Sequence, residues 1–207
     1  MILILCGKSA SGKDTILNDF IQDGFVHKIV SYTTRPKRTG EVNGIDYNFV
    51  TERQFIDMMN EGLFFQTRQY NTNVNGHLNT WYYGSKKVEI DKNIHFGCIV
   101  DMGGVRDYVN AYGKENVFVV YIDAPDEIRK HRCIQRGSFD ETEWNRRLED
   151  DTIKFDINNP EVNNLINRIV ENTGDIRDVK FEISYDFYNY IMDKYKNENH
   201  TRFGGNK

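Results

Sequence analysis

The chain opens with an uninterrupted apolar run, Met1–Cys6, that stops at a glycine. A strand that is buried on both faces of a parallel sheet has this continuous apolar character. After a glycine-rich stretch, apolar residues return with helical spacing at Ile16, Leu17, Phe20 and Ile21. The beginning of the chain is therefore predicted to form a strand, a loop and a helix.

Two further apolar runs have the length of strands, Phe96–Val100 and Val117–Ile122. Each is followed by a segment with helical character, Val105–Tyr112 and Asp126–Gln135 respectively. A short last strand is predicted at Ile169–Val170. This alternation of strands and helices predicts a three-layer α/β fold around a parallel sheet with right-handed crossovers.

The pattern changes between residues 31 and 85. Residues 47–50 alternate between polar and apolar positions, residues 52–60 have the pattern of a short helix, and residues 63–70 are rich in aromatic side chains. We predict an inserted, mixed α/β subdomain here. Within it, Asn71–Thr80 holds four asparagines and one glycine. Such a composition predicts an exposed loop.

The C-terminal part is predicted to contain two more helices. A highly charged segment, Asp140–Ile157, is typical of a surface helix. The final helix is indicated by an apolar stripe at Ile176, Val179, Ile183 and Phe187. Residues 198–207 are predicted to be disordered. A chain of 207 residues has the mass of one compact domain, so residues 1–30 and 86–197 are expected to form its core.

Composition and charge narrow the class of partner. The formal net charge is −4 and the pI is about 5.8, so the chain lacks the overall positive field of many nucleic-acid-binding proteins. Its apolar runs fall short of the roughly 20 residues of a membrane-spanning helix, and the opening run lacks the flanks of a secretory signal. Widely spaced cysteines are expected to be reduced thiols. We expect a cytoplasmic protein that binds neither nucleic acid nor membrane.

A phosphate-binding motif follows the first predicted strand. Residues 7–13 read Gly-Lys-Ser-Ala-Ser-Gly-Lys, which matches the Walker A pattern between a strand and a helix. Glycines let backbone N–H groups approach phosphate oxygens, the helix N-terminus adds positive partial charge, and the lysine supplies a mobile ammonium. The residues predicted to bind the phosphates of ATP are Gly7, Ser9, Ala10, Ser11, Gly12, Lys13, Asp14 and Thr15.

One position departs from the Walker A pattern. Asp14 stands where a serine or threonine normally offers its hydroxyl to Mg²⁺. A carboxylate also binds magnesium, directly or through water, although its charge beside phosphates is unfavourable unless the ion neutralises it. Asp14 is therefore a candidate metal ligand.

Residues 31–47 read Ser-Tyr-Thr-Thr-Arg-Pro-Lys-Arg-Thr-Gly-Glu-Val-Asn-Gly-Ile-Asp-Tyr. This segment closely resembles the acceptor-binding signature of guanylate kinases. Residues 83–85, the Asp-Met-Gly-Gly turn at 101–104, and Arg136-Gly137 with Arg147 extend the resemblance, together with the phosphate loop, from residue 1 to about residue 148.

The resemblance implies a P-loop NTPase fold with a nucleoside-monophosphate-binding subdomain over residues 31–85 and a short lid at about 132–147. It also implies ATP as co-substrate, Mg²⁺ as cofactor, and small-molecule nucleotides as the partners of a monomer or homodimer. In this family two arginines and two tyrosines hold the acceptor phosphate. In this sequence those positions are Arg35, Arg38, Tyr47 and Tyr83.

The positions that would read the acceptor base differ from the family pattern. Ser31 matches the family residue that donates to the guanine carbonyl, and Ser85 lies in the matching Tyr-Gly-Ser segment, but Gln66 stands where the family has a glutamate. Glutamine has one acceptor oxygen and one donor amide, so it satisfies only part of guanine's donor edge. Asp101 matches either a second base-contacting acid or the neighbouring metal-side acid, depending on the length of its turn.

Three arginines lie in the segment that resembles the lid. Arg136 and Arg147 match family positions that contact the donor and transferring phosphates, and Arg132 lies in the same segment. Phosphoryl transfer depends on positioning and charge neutralisation, which such cations provide. The alternative is that they pair with neighbouring acids. The implied catalytic set is Lys13, Arg38, Arg136 and Arg147.

The function implied is transfer of the ATP γ-phosphoryl group to GMP or dGMP. Gln66 leaves open a deoxynucleoside monophosphate kinase that accepts dTMP or several acceptors, because the amide can face a base with adjoining N–H and carbonyl groups. A further alternative is an inactive, phosphopeptide-binding module, against which Lys13 and the lid arginines argue.

Overall fold

The computed structural model describes residues 1–74, 77–137 and 139–203. The strands are β1 (Ile2–Cys6), β2 (His27–Lys28), β3 (Tyr32–Thr33), β4 (Asn48–Phe49), β5 (Gln66–Val74), β6 (His77–Ser85), β7 (Phe96–Ile99), β8 (Val117–Asp123) and β9 (Arg168–Glu171). The helices are α1 (Lys13–Gln22), α2 (Glu52–Asn60), α3 (Met102–Tyr112), α4 (Asp126–Gln135), α5 (Glu141–Lys154), α6 (Pro160–Asn163) and α7 (Ile176–Phe203), with a 3₁₀ turn at Lys114–Asn116.

The chain divides into two compact units. The core unit consists of Met1–His27 with Ile90–Lys207, and the inserted unit consists of Lys28–Glu89. The sequence placed the corresponding boundaries at residues 31 and 85.

The core unit is built on a five-stranded sheet with the order β2-β7-β1-β8-β9. β1 runs parallel to both β7 and β8, and β8 runs parallel to β9. All of β1 is buried because helices cover both of its faces. Leu3 and Leu5 pack with residues of α1 and α7, whereas α3 contacts β1 and β8 from the opposite side. The predicted three-layer α/β fold with a parallel sheet is therefore confirmed.

The inserted unit contains a four-stranded mixed sheet with the order β4-β3-β6-β5. One of its faces is covered by α2, whose Phe55 is fully buried and stacks on the rings of Phe64 and Tyr82 at 4.8 and 5.7 Å. Gly84 makes this packing possible, because a Cβ there would lie 2.9 Å from the Phe64 ring. The opposite face of the sheet carries the polar side chains considered below.

The prediction of an exposed loop at Asn71–Thr80 is wrong. β5 and β6 pair antiparallel through this stretch, from Gln66↔Ser85 to Val74↔His77, and residues 75–76 lie outside the described part of the chain. The polar composition misled the prediction because asparagine and threonine also pair across exposed strands. The Thr80 hydroxyl, for example, donates to the Asn71 side-chain oxygen at 2.9 Å.

The predicted disorder from residue 198 also needs correction. α7 continues through Phe203, and residues 204–207 lie outside the described part of the chain. Its sequence has neither glycine nor proline before Gly204, so nothing in the chain interrupts the helical hydrogen bonds earlier. Over the described ranges, every helix is too short or too polar to cross a membrane.

Candidate nucleotide-binding sites

The phosphate loop is the turn that joins β1 to α1, and two of its glycines are required by geometry. Gly7 has φ +135°, and a Cβ there would lie 2.3 Å from the carbonyl oxygen of Ile122 on β8. Gly12 has φ +101°, and a Cβ would lie 2.2 Å from the side-chain nitrogen of Asn172. Ala10 also has a positive φ, of 60°. The backbone conformation of the loop would therefore be strained for most residues other than glycine.

Lys13, the lysine of the motif, is buried at the start of α1. Its ammonium folds back over the loop and donates to the Lys8 carbonyl at 2.7 Å and to the Ser11 hydroxyl at 3.3 Å. Burial lowers the pKa of Lys13, because the charged form loses hydration. The loop thus holds the lysine cation against a carbonyl oxygen and a hydroxyl oxygen of its own residues.

A buried ion pair anchors the phosphate loop to two helices. Asp151 on α5 accepts from the Ser9 backbone N–H at 2.7 Å and from its hydroxyl at 3.2 Å. Arg129 on α4 donates to the Ser9 carbonyl at 2.9 Å and to Asp151 at 3.2 Å, with only 1% of its side chain exposed. We call Arg129 and Asp151 the loop clamp. Ser9, predicted to bind phosphate, therefore has both its N–H and its hydroxyl bonded to protein.

A second tether holds the other side of the loop. Asn172, the residue after β9, donates to the Ser11 carbonyl at 2.8 Å, and Arg132 donates to the same oxygen at 3.1 Å. Arg132 also bonds to the Asn172 carbonyl at 2.8 Å. The sequence-predicted Arg132 thus lies directly on the phosphate loop. A cavity of about 300 Å³ beside it is lined by Gly12, Thr15, Arg132, Gln135, Arg136, Asn172, Gly174 and Ile176.

The predicted lid arginines are differently placed. Arg136 lines the 300 Å³ cavity and a second one of about 110 Å³, which Arg147 also lines. Arg147 is bonded to Glu143 at 2.7 Å, and Arg146 bonds the same carboxylate. Together, Arg146 first and Arg147 second, they lower the pKa of Glu143 to about 2. Arg147 therefore has the pairing considered as the alternative from the sequence, and its catalytic role stays a prediction.

The two candidate metal ligands lie in the core unit. Asp14 and Thr15 are exposed in the first turn of α1, whereas Asp101 caps α3 by accepting from the Gly104 N–H at 2.8 Å. Over the described residues, no group of three or more His, Cys, Asp or Glu side chains can hold a metal ion. Mg²⁺ commonly binds through one or two carboxylates together with phosphates and water. Asp14 fits a metal that is held mainly by nucleotide phosphates.

The inserted unit gathers the residues predicted to hold a phosphate. Arg35 is 7% exposed and binds Glu41 through both terminal nitrogens, at 3.0 and 2.6 Å. This bond lowers the pKa of Glu41. The Tyr47 ring lies 5.5 Å from the Arg35 guanidinium and 5.9 Å from the Tyr83 ring. The backbone N–H of Arg38 donates to Glu41 at 2.7 Å.

The predicted base-reading residues of the inserted unit form a row across β3, β6 and β5. The hydroxyls of Ser31 and Ser85 lie 3.0 Å apart, and the Gln66 amide nitrogen donates to the Ser85 hydroxyl at 3.1 Å. The Gln66 amide oxygen is buried and has no hydrogen-bond partner among the described residues. We call Ser31, Ser85 and Gln66 the polar row.

Sequence reasoning missed three residues of the phosphate-loop site. Arg129 and Asp151 carry no local signal, because each meets Ser9 across more than a hundred residues of chain. Asn172 did have a local sequence signal. It directly follows β9, and polar residues at the carboxyl ends of parallel strands collect at the edge of the sheet where ligands bind.

The parallel sheet, the glycine loop and the buried lysine at a helix N-terminus define a P-loop nucleotide-binding protein of the α/β class. The family model described as guanylate kinase matches residues 1–173. The chain therefore belongs to the guanylate kinase family.

Individual relatives agree with this assignment. Guanylate kinase of Clostridioides difficile is 29% identical over 153 residues, covering 72% of this chain and 70% of the relative. Guanylate kinase of Helicobacter pylori is 34% identical over 154 residues, covering 71% and 69%. That of Legionella pneumophila is 34% identical over 140 residues, covering 65% and 63%.

A solved structure supports the fold. The crystal structure of guanylate kinase from Anaplasma phagocytophilum superposes with a TM-score of 0.64, covering 93% of this chain and 86% of the other. At 22% identity this likeness concerns the fold alone.

Proposed function

We propose that this protein is an ATP-dependent nucleoside monophosphate kinase that transfers the γ-phosphoryl group of ATP to GMP or dGMP. The observation that carries the proposal is the phosphate loop, with Lys13 buried at the start of α1 and bonded back to the loop, in a chain that belongs to the guanylate kinase family. A binding module has no need to bury a mobile ammonium, since desolvating that cation costs free energy unless a phosphate or other acceptor uses it.

The chemistry requires placement and charge rather than a base. The attacking oxygen of the acceptor phosphate is already anionic near neutral pH, and phosphoryl transfer spreads negative charge over the transferring group. Cations at that group lower the barrier by electrostatic stabilisation. The residues proposed for this role are Lys13, Arg38, Arg136 and Arg147.

Mg²⁺ is the proposed cofactor. It would be held by Asp14 and by the phosphates of ATP, where it supplies neutralising charge between the phosphate oxygens. Asp14 is exposed at the first turn of α1, immediately after Lys13, which supports this position.

The phosphate of the acceptor is proposed to bind to Arg35, Arg38, Tyr47 and Tyr83. The Arg35 fork already holds a carboxylate, Glu41, in a two-point arrangement. A phosphate monoester fits the same fork geometry. The neighbouring tyrosine hydroxyls add hydrogen bonds without adding charge.

Cytoplasmic residence is supported by three cysteines that are all free thiols.

The proposal is tested by measuring ADP release with ATP, Mg²⁺ and each of GMP and dGMP. We expect turnover with both acceptors, and a loss of about 10³-fold in kcat for Lys13→Ala, because one cation of the transition state is removed. Lys196→Ala, an exposed lysine on α7, is the matched control and should keep the parent rate. The absence of transfer to any mononucleotide, or a Lys13→Ala variant as fast as its parent, would refute the proposal.

A further inference from the structure

The polar row crosses three neighbouring strands of the inserted unit at one level. Gln66 and Ser85 are paired in the β5–β6 register, and Ser31 precedes Tyr32, which pairs with Gly84. Paired residues project from the same face of a sheet. Tyr83, two residues before Ser85, is on that face as well, and its ring meets Tyr47. The polar row and the cluster of Arg35, Tyr47 and Tyr83 therefore share the face of the sheet opposite α2.

The burial of Ser85 indicates one direction for the hydrogen bonds of the row. The Ser85 hydroxyl accepts from the Gln66 amide nitrogen at 3.1 Å. Ser85 is 1% exposed, so its own proton needs an acceptor, and the Ser31 oxygen at 3.0 Å provides it. The proton of Ser31 is then left to point away from the row. The row ends in a hydroxyl donor at Ser31 and in the buried amide oxygen of Gln66, an acceptor without a partner among the described residues.

A hydroxyl donor at one end of the row and an amide-oxygen acceptor at the other match the carbonyl and the ring N–H of one base edge. Resting on the proposed function, we propose that the polar row selects acceptor bases by this lactam edge alone and does not read the 2-amino group of guanine. Guanine and hypoxanthine present the edge as the 6-carbonyl with N1–H, and thymine and uracil present it as the 4-carbonyl with N3–H. Adenine and cytosine present the reverse pattern, an amino group beside an acceptor nitrogen.

The 2-amino group lies beside N1–H and needs a second acceptor on the protein to be recognised. A glutamate would offer two charged oxygens to these two donors. Gln66 offers a single neutral oxygen, because its amide nitrogen donates to the Ser85 hydroxyl. Loss of the 2-amino group therefore leaves no protein group of the polar row unpaired.

The first test compares kcat/KM for GMP, IMP and AMP at saturating ATP. We expect IMP to be used within about tenfold of GMP, because only an unread group is removed, and AMP to be used at least about 10³-fold less well, because its edge leaves both ends of the row unpaired. A preference for GMP over IMP of about 10³-fold, or good use of AMP, would overturn the proposal.

Parallel reactions with dTMP and dUMP test whether pyrimidines that carry the lactam edge are accepted as well as purines. Turnover within about 10²-fold of dGMP means that the row accepts pyrimidines and purines that carry the lactam edge. Failure of both pyrimidines, with IMP still accepted, restricts the same recognition to 6-oxopurines. Either result agrees with the lactam edge, and the comparison of GMP with IMP decides whether it is read alone.

A substitution sharpens the test by restoring the missing acceptor. Gln66→Glu places a second oxygen in the row and should increase the preference for GMP over IMP by at least about tenfold. Gln69→Glu is the matched control, since Gln69 is on the same strand but on the other face, paired with Tyr82. It should leave the ratio unchanged. An equal ratio in the Gln66→Glu variant and its parent contradicts the assignment.

Failure of this inference is distinguishable from failure of the proposed function. Turnover of GMP with rejection of IMP overturns only the lactam-edge reading. If no mononucleotide is phosphorylated, calorimetric binding of GMP and IMP to the intact chain still decides the inference. Equal affinities support it, and a large preference for GMP refutes it.

Discussion

The phosphate loop and the polar face of the inserted unit are both proposed to bind a nucleotide, but their polar groups are arranged by different means. In the loop the decisive features belong mainly to the main chain, namely the positive φ angles of Gly7 and Gly12 and the Lys8 carbonyl oxygen that accepts from Lys13. On the inserted sheet the decisive features are side chains aligned by strand register. A site built from the main chain can recognise the phosphate groups that all nucleotides share. In a site built from side chains, a single substitution can change the base specificity.

The two regions also differ in how their parts are held. The loop is tethered on both sides by the loop clamp and by Asn172, through buried contacts that leave little freedom. The polar row ends in the Gln66 amide oxygen, which has no partner within residues 1–74, 77–137 and 139–203, and the Arg35 fork is occupied by Glu41. We infer that the loop serves any ATP-dependent transfer, while the inserted sheet determines which acceptor is used.

The largest effect is expected where the main chain itself is disturbed. In Gly7→Ala the new Cβ meets the Ile122 carbonyl oxygen at 2.3 Å in a backbone region that alanine avoids. We expect a loss of about 3 kcal/mol or more in the free energy of unfolding and a fall of at least about 10²-fold in kcat/KM for ATP. Denaturant unfolding and steady-state kinetics measure both. Gly62→Ala is the control, because φ is +69° but nothing lies within 4 Å. It should cost only about 1 kcal/mol.

The next effect tests the loop clamp. Asp151→Ala leaves Arg129 buried without its buried partner and releases the Ser9 N–H, so we expect a loss of about 3 kcal/mol in the free energy of unfolding. The KM for ATP should rise as well, because the loop is no longer anchored. Asp150→Ala removes the neighbouring exposed partner of Arg146 and should cost at most about 1 kcal/mol. If both variants unfold at the same denaturant concentration as the parent, the clamp is not what holds the loop.

The smallest effect on stability, with a separate effect on rate, is expected at Arg147. This side chain is 47% exposed and forms an exposed ion pair with Glu143, so its truncation should change stability by less than about 0.5 kcal/mol. If Arg147 contacts the transferring phosphate, kcat falls by about 10²-fold in Arg147→Ala while acceptor binding is retained. Arg146→Ala is the matched control because it removes a cation from the same carboxylate. Equal kcat values in the two variants would withdraw the role of Arg147.

The sequence predicted most of the core because its signals are local. Continuous apolar strands and the glycine motif between β1 and α1 appear as short contiguous patterns, and the structure contains them at those positions. The β5–β6 hairpin was missed although its signal was present. Asn75-Gly76 separates two segments that alternate in character, and this dipeptide is a strong hairpin indicator. The asparagine-rich composition outweighed it in the prediction.

What the sequence alone determined is the phosphate loop, because its glycines, lysine and following helix are consecutive and their geometry follows from local backbone preferences. Only the tertiary structure decided how the loop is held and which polar side chains of the inserted sheet lie side by side. Asp151 reaches Ser9 across 142 residues and Arg129 does so across 120. Ser85 meets Gln66 and Ser31 only through strand register. Such partners are chosen by packing and by the need to satisfy buried polar groups, which no local pattern in the chain records.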